Sequence, residues 1–220
     1  MTAPFATTTN DGLVSVASVL VGVGAGSQSL DTVRLSGVAA LVGGALSMAV
    51  GEYISVSSQR DAELADIEQE RQEQLKGPEA QERELEELAH IYVERGLPYP
   101  LARQVAEVLT EKDVVRAHAR DELGIDIDDL AQPFRAAAVS ATCFVSGGGL
   151  PLLATAFVTN PQARLMVTLA ATTAGLFAFG LVGALLGGAG ALRGAGRVLL
   201  GGWLALAVVY LVGALVGAEK

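Results

Sequence analysis

A thioether and five carboxylates share one helical edge in the run SMAVGEYISVSSQRDAELADIEQERQ, residues 47 to 72, and at Glu73 just past it. At about 100° per residue, with Glu52 set at zero, Met48, Glu63, Asp66, Glu70 and Glu73 all fall within about 60°, whereas Arg60 and Arg71 lie about 80–100° away. Like charges at positions 63, 66, 70 and 73 repel on a shared face, and no basic residue interleaves there. A solvated helix surface would tolerate such acids. A divalent cation would bind them, because carboxylate oxygens are hard donors that suit Mn(II), Fe(II) and Ca(II).

More donors follow. Glu79, Glu82, Glu84, Glu86 and Glu87 crowd the next helical stretch, with Glu84 and Glu87 one turn apart, and His118 and Glu122 stand at i, i+4 beyond that. That last spacing puts an imidazole and a carboxylate on one face, an arrangement common among helical metal ligands. Alone, a histidine at an exposed helix position is usually just a polar residue; with carboxylates from two other helices the pair makes a mixed oxygen and nitrogen site.

Glu52 differs because it lies inside an apolar run. A carboxylate at membrane depth costs at least about 2.5 kcal/mol, so it is expected to face the bundle interior or a water-filled path. Met48, one turn earlier, is packing or a soft donor that favours a transition metal over Mg or Ca. Asp11, at the head of the first apolar run, reads as an N-cap in TNDGL, where its carboxylate would accept backbone N–H bonds.

The elements that must position these groups are apolar helices. The chain has 220 residues, of which 51% are hydrophobic, 5% aromatic and 26 glycine, and its mean hydropathy is positive. That is membrane-protein composition. Runs near 13–30, 33–56, 136–158, 165–192 and 198–216 are long enough to cross about 30 Å of hydrocarbon as helices. Small residues in VGGALSMAVG and GLVGALLGGAG let such helices approach closely. The expected architecture is therefore all-α, a polytopic membrane protein with five transmembrane helices and a three-helix extramembrane metal-binding insert between spans 2 and 3. Its parts are 1–57 (spans 1 and 2), 58–132 (the acidic insert) and 133–220 (spans 3 to 5).

Within 58–132 lie 20 of the 24 Asp and Glu against 9 Lys and Arg, which leaves the segment 11 charges negative. Such a segment repels nucleic acid and anionic lipid and attracts cations. Breaks at Gly77-Pro78, at GLPYP (96–100) and after Gly124 divide it into helices near 58–76, 79–95 and 100–123. Leu85, Leu88, Ala89 and Tyr92 in the second, and Ala102, Val105, Ala106 and Leu109 in the third, give apolar stripes for packing. One cysteine, Cys143, excludes an intrachain disulfide or thiolate cluster, and MTAPFATTTND lacks the basic start of a signal peptide. With five spans and a cytosolic N-terminus, Arg60, Arg135, Arg193 and Arg197 flank the inside against Arg34, Arg164 and Lys220 outside. This slight bias favours a cytosolic insert.

The order NDGLVSVASVLVGVGAG, SMAVGEYISVSSQRD, a Glu-rich insert with ELEELAHIYVERGLP and AHARDELGI, then PFRAAAVSATCFVSGGGLPLL resembles the vacuolar iron transporter family over nearly the whole chain. The resemblance implies a homodimeric exporter that moves Fe(II), and often Mn(II), out of the cytosol in exchange for protons, with no resident cofactor and no enzymatic activity. It implies Asp11, Met48 and Glu52 on the transport path, and Glu70, Glu73, Glu84, Glu87 and Glu122 as ligands in a cytosolic metal-binding insert, with Glu63, Asp66 and Glu82 as substitutes. Where family members carry methionines just before the last glutamate, this chain has HAR at 118–120, so His118 stands in for a thioether. An imidazole makes the site harder and pH-sensitive. The membrane would be the cell membrane in a prokaryote and a vacuolar one in a plant or fungus.

Other readings remain open at this point: a membrane-tethered metal sensor or buffer, a calcium exporter or channel, and a ferritin-like enzyme. The last requires two Glu-x-x-His motifs; Glu87 precedes His90 at that spacing, but Val115 precedes His118.

Overall fold

The computed structural model describes residues 2–218, with the side chains of residues 7–216. Lys220, counted above as an outer flank, lies outside the described residues. Every regular element of the described chain is an α-helix: α1 Thr2–Gly26, α2 Leu30–Gln74, α3 Pro78–Glu94, α4 Tyr99–Asp121, α5 Pro133–Thr155, α6 Pro161–Leu186 and α7 Ala191–Ala218. It separates into two compact units, residues 1–53 with 134–220 and residues 54–133.

This corrects the expected count of five spans. Among the described residues four helices are long and apolar enough to cross a membrane, namely α2, α5, α6 and α7, and α1 is not one of them. The reason lies in its ends. Thr7 to Asp11 are polar and glycines follow from Gly22, so the strongly apolar stretch is only residues 13–23, roughly 16 Å of helix rise. Its apolar side chains are also taken up by protein: Leu13, Val16, Ala17, Leu20 and Val21 are buried. With five spans gone, the expected placing of Arg60, Arg135, Arg193 and Arg197 inside and of Arg34 and Arg164 outside loses its basis.

The three-helix insert is corrected as well. Its first helix is the continuation of α2, which runs unbroken for 45 residues through Gly51 and Ser55–Asp61. At 1.5 Å per residue that is about 68 Å, more than twice the hydrocarbon thickness, so the charged second half is no part of a span. Only α3 and α4 lie wholly in the polar unit, and α4 is itself interrupted at Asp113, whose φ of −167° and ψ of 97° are extended.

In the first unit α1, α6 and α7 pack on one another. Two crossings depend on glycine, because a Cβ on Gly147 of α5 would overlap the Thr9 carbonyl of α1, and one on Gly213 of α7 would overlap the Gly22 carbonyl. A cluster of Val16, Leu20, Val33, Ala45, Phe144 and Leu152 ties α1, α2 and α5 together. The polar unit has its own core of Leu88, Ala89, Tyr92, Ala102, Ala106 and Ala117, drawn largely from the apolar stripes of α3 and α4. Gly77 (φ 108°), Gly96 (φ 100°) and Gly124 (φ 71°) take the left-handed backbone at the three turns read from the sequence.

Candidate metal centre

Asp113 breaks α4 five residues before His118. Its extended backbone ends the first part of α4, and its Oδ1 accepts the Arg116 N–H at 3.1 Å, an N-cap that starts the second part. The chain that follows turns its small face inward, so that Ala117, His118 and Ala119 are all buried. At its far end Asp121 accepts from the Tyr92 hydroxyl at 2.7 Å and from Arg95 Nη1 at 2.6 Å, which pins this end of α4 to α3. Burial and the bond to Asp121 push the Tyr92 phenol up to about 12. Burial acts to raise the Asp121 carboxyl, but its bonds to Tyr92 and Arg95 outweigh that and hold it below the usual range.

Four side chains from three helices meet here. Glu70 of α2, Glu84 of α3, and His118 and Glu122 at the end of α4 each offer one ligand atom, all within 4.8 Å of one another. His118 is fully buried, and its Nδ1 lies 3.0 Å from Glu122 Oε2 and 3.7 Å from Glu70 Oε1. Its Nε2 is buried without a hydrogen-bond partner. Glu70 is 6% exposed and accepts from Gln74 Nε2 at 3.1 Å. Burial raises the Glu84 carboxyl above its ordinary value of 4.5; the charge of Glu70 raises it further, His118 opposes, and Glu87 and Glu122 add to the rise. Three carboxylates around one imidazole are a hard, mixed donor set suited to Fe(II), Mn(II) or Zn(II). A cation there would relieve the acids' mutual repulsion, and a metal on Nδ1 requires that nitrogen to be free of its proton.

The remaining sequence-derived residues are placed elsewhere. Glu73 pairs with Lys76. Glu63 accepts from Gln59 at 2.9 Å and from the Ala131 N–H at 3.1 Å, and Asp66 is exposed. Glu82 is held by Arg103 at 2.6 Å, a guanidinium that also binds Glu86 and Glu107. Glu87 is exposed and outside the four-residue group. His90 faces Glu86 at 3.4 Å and the Tyr99 ring, also outside it.

In the first unit, Asp11 lines a cavity of about 250 Å³ with Thr7, Asn10, Val14, Leu176, Val198, Gly201 and Gly202. Met48 is partly buried against the α1, α2 and α5 core. Glu52 is half-buried and belongs to no acid or histidine cluster among the described residues. The structure thus does not gather Asp11 and Glu52 into a ligand group. The cavity around Asp11, with Asn10 at its wall, was not read from the sequence; the polar pair Asn10-Asp11 at the head of an apolar run was its one signal.

The sequence model of the VIT family matches residues 6–214. A vacuolar iron transporter of Acanthamoeba castellanii is 44% identical over 204 residues, covering 93% of this chain and 74% of the relative. Vacuolar iron transporter homolog 2 of Arabidopsis thaliana is 36% identical over 208 residues, covering 94% and 80%. Vacuolar iron transporter homolog 1 of Oryza sativa subsp. japonica is 39% identical over 201 residues, covering 91% and 67%.

Proposed function

Because the chain belongs to the VIT family, we propose that it is a membrane transporter of divalent metal ions that moves Fe(II), Mn(II) or both out of the cytosol in exchange for protons. The observation that carries this reading is the convergence of Glu70, Glu84, His118 and Glu122 from three helices, a donor set for a transition-metal cation rather than a solvated acidic face. The polar unit, on the cytosolic side, collects the ion. Asp11, Met48 and Glu52 then serve as its path, Glu52 because a carboxylate within the apolar half of α2 has no packing use.

Proton exchange is proposed for the same groups, because a carboxylate that binds a metal must first release any proton it holds. Burial and the charge of Glu70 raise the Glu84 carboxyl above its ordinary value, which supports such a competition. A homodimer is part of the proposal: α2 leaves Leu35, Val42, Leu46 and Val50 exposed, an apolar stripe that a second copy or lipid would cover.

Metal flux into vesicles that enclose a pH-sensitive dye tests this, with Fe(II), Mn(II), Zn(II) and Ca(II) compared under an imposed pH gradient. Fe(II) or Mn(II) should move with an opposing proton flux, and Glu52→Gln should stop both while leaving metal binding by the polar unit intact. Binding without flux would instead support a membrane-tethered buffer.

A further inference from the structure

Two arginines at one end of the first unit hold each other's loops. Arg34, on α2 just past the α1–α2 loop, donates from Nε to the Ala156 carbonyl at 2.5 Å, in the segment between α5 and α6. Arg164, on α6 just past that segment, donates from Nη2 to the Gln28 carbonyl at 3.2 Å, in the α1–α2 loop. The bonds cross: each hairpin supplies one guanidinium and one loop carbonyl. Arg34 also lies over the Phe157 ring at 5.9 Å, which draws the two loops closer.

Arg164 is an expensive choice for a tie between loops. It is 3% exposed, its Nη1 is buried with no partner, and no carboxylate among the described residues forms an ion pair with it. A neutral amide could bridge to the same carbonyl without burying a charge, and a buried ionic group in a membrane helix points to function. A fixed positive charge at the end of a bundle also raises a barrier to cations. Directly inward on the same face of α6 stand Thr168 and Thr172, both buried, whose hydroxyls donate to the Arg164 and Thr168 carbonyls at 2.9 and 2.7 Å.

We propose that Arg34 and Arg164 are gate residues of the transport cycle: their crossed bonds close this end of the first unit to cations and part when the ion passes. The inference rests on the transport reading, and its test separates the two. With Cys143→Ala removing the native thiol, Thr168→Cys reports water access one turn beneath Arg164. In nanodiscs its reaction with a water-soluble maleimide should be slow in the parent. It should be about tenfold faster or more with Arg34→Met or Arg164→Met, the shift expected from losing one hydrogen bond to a charged donor. Arg34→Met decides the matter if Arg164→Met does not fold, since the Arg34 side chain is 39% exposed. In vesicles with reagent on both sides, labelling of the parent should accelerate only when Mn(II) and a pH gradient are present together, which a merely structural tie would not produce. Equal rates in the parent and in the folded variants, or rates indifferent to turnover, would overturn the gate. Vesicles in which Thr168→Cys labels normally in the resting state but the unmodified chain carries no metal would overturn the transport reading instead, and the nanodisc comparison would still decide whether the arginines close this end.

Discussion

Replacing Glu70 by glutamine should stabilise the metal-free protein and weaken its response to metal, two effects of opposite sign from one substitution. Glu84 and Glu122 each place an oxygen within 4.8 Å of the Glu70 ligand oxygen, and two unit charges at that separation repel by about 3.5 kcal/mol at an effective dielectric constant of about 20. Glu84 is only half-buried and Glu122 is exposed, so water and salt reduce the gain from removing the Glu70 charge to about 1–2 kcal/mol. The amide keeps nearly the volume of the acid and can still bond Gln74, so no cavity offsets that gain. For a unit of this size the melting temperature should rise by roughly 4–8 °C per kcal/mol. With saturating Mn(II) the order should reverse, because a site filled at about 100 times its dissociation constant contributes about 2.7 kcal/mol that the variant lacks. Calorimetry of the detergent-solubilised chain, in chelator and then in Mn(II), measures both. A variant that melts below the parent in chelator, or that gains as much from Mn(II), would mean that the Glu70 charge neither strains the empty site nor holds the metal.

Burial and the charge of Glu70 raise the Glu84 carboxyl above 4.5, so its contribution to metal-free stability is complete below about pH 4.5 and is lost as pH rises through the raised value; melting against pH should show this slope, and Glu84→Gln should flatten it. Metal binding should run the other way, tightening over the same interval as the proton leaves, which Mn(II) titrations at several pH values will read. Asp113→Ala removes the cap on Arg116 and should cost the polar unit about 1 kcal/mol and loosen the His118 position, visible as a lower melting temperature with weaker Mn(II) binding. Gly147→Val should cost about 1–3 kcal/mol or prevent folding, because even a Cβ at this position overlaps the Thr9 carbonyl; yield and melting temperature in detergent check it.

The turns and the long rod were legible in the sequence because single residues dictate them. Gly77, Gly96 and Gly124 adopt the left-handed backbone that few other residues accept, and nothing between Ser55 and Asp61 competes with a helix. The pairing of His118 with Glu122 was legible as well, since i, i+4 spacing is a local property. The fate of the acidic stripe was not. Helical angles say which residues share an edge and nothing about what stands opposite, and Glu63 meets a backbone N–H 68 residues away at Ala131. Glu82 likewise meets Arg103 across the α3–α4 turn. The count of spans failed for a related reason: an apolar run signals burial, and in α1 the burial is against protein on several sides. The break at Asp113 carries no glycine or proline, so only the N-cap chemistry of aspartate hinted at it.

We propose that Glu70, Glu84, His118 and Glu122 form one site for a divalent transition metal. Titration of the purified chain with Mn(II), followed by the loss of the free-ion paramagnetic resonance signal, tests it most directly. One tight site per chain in the parent, weakened at least tenfold in His118→Ala and unchanged in Glu87→Gln, is the expected result. Binding in His118→Ala as tight as in the parent, or no saturable site at all, would contradict it.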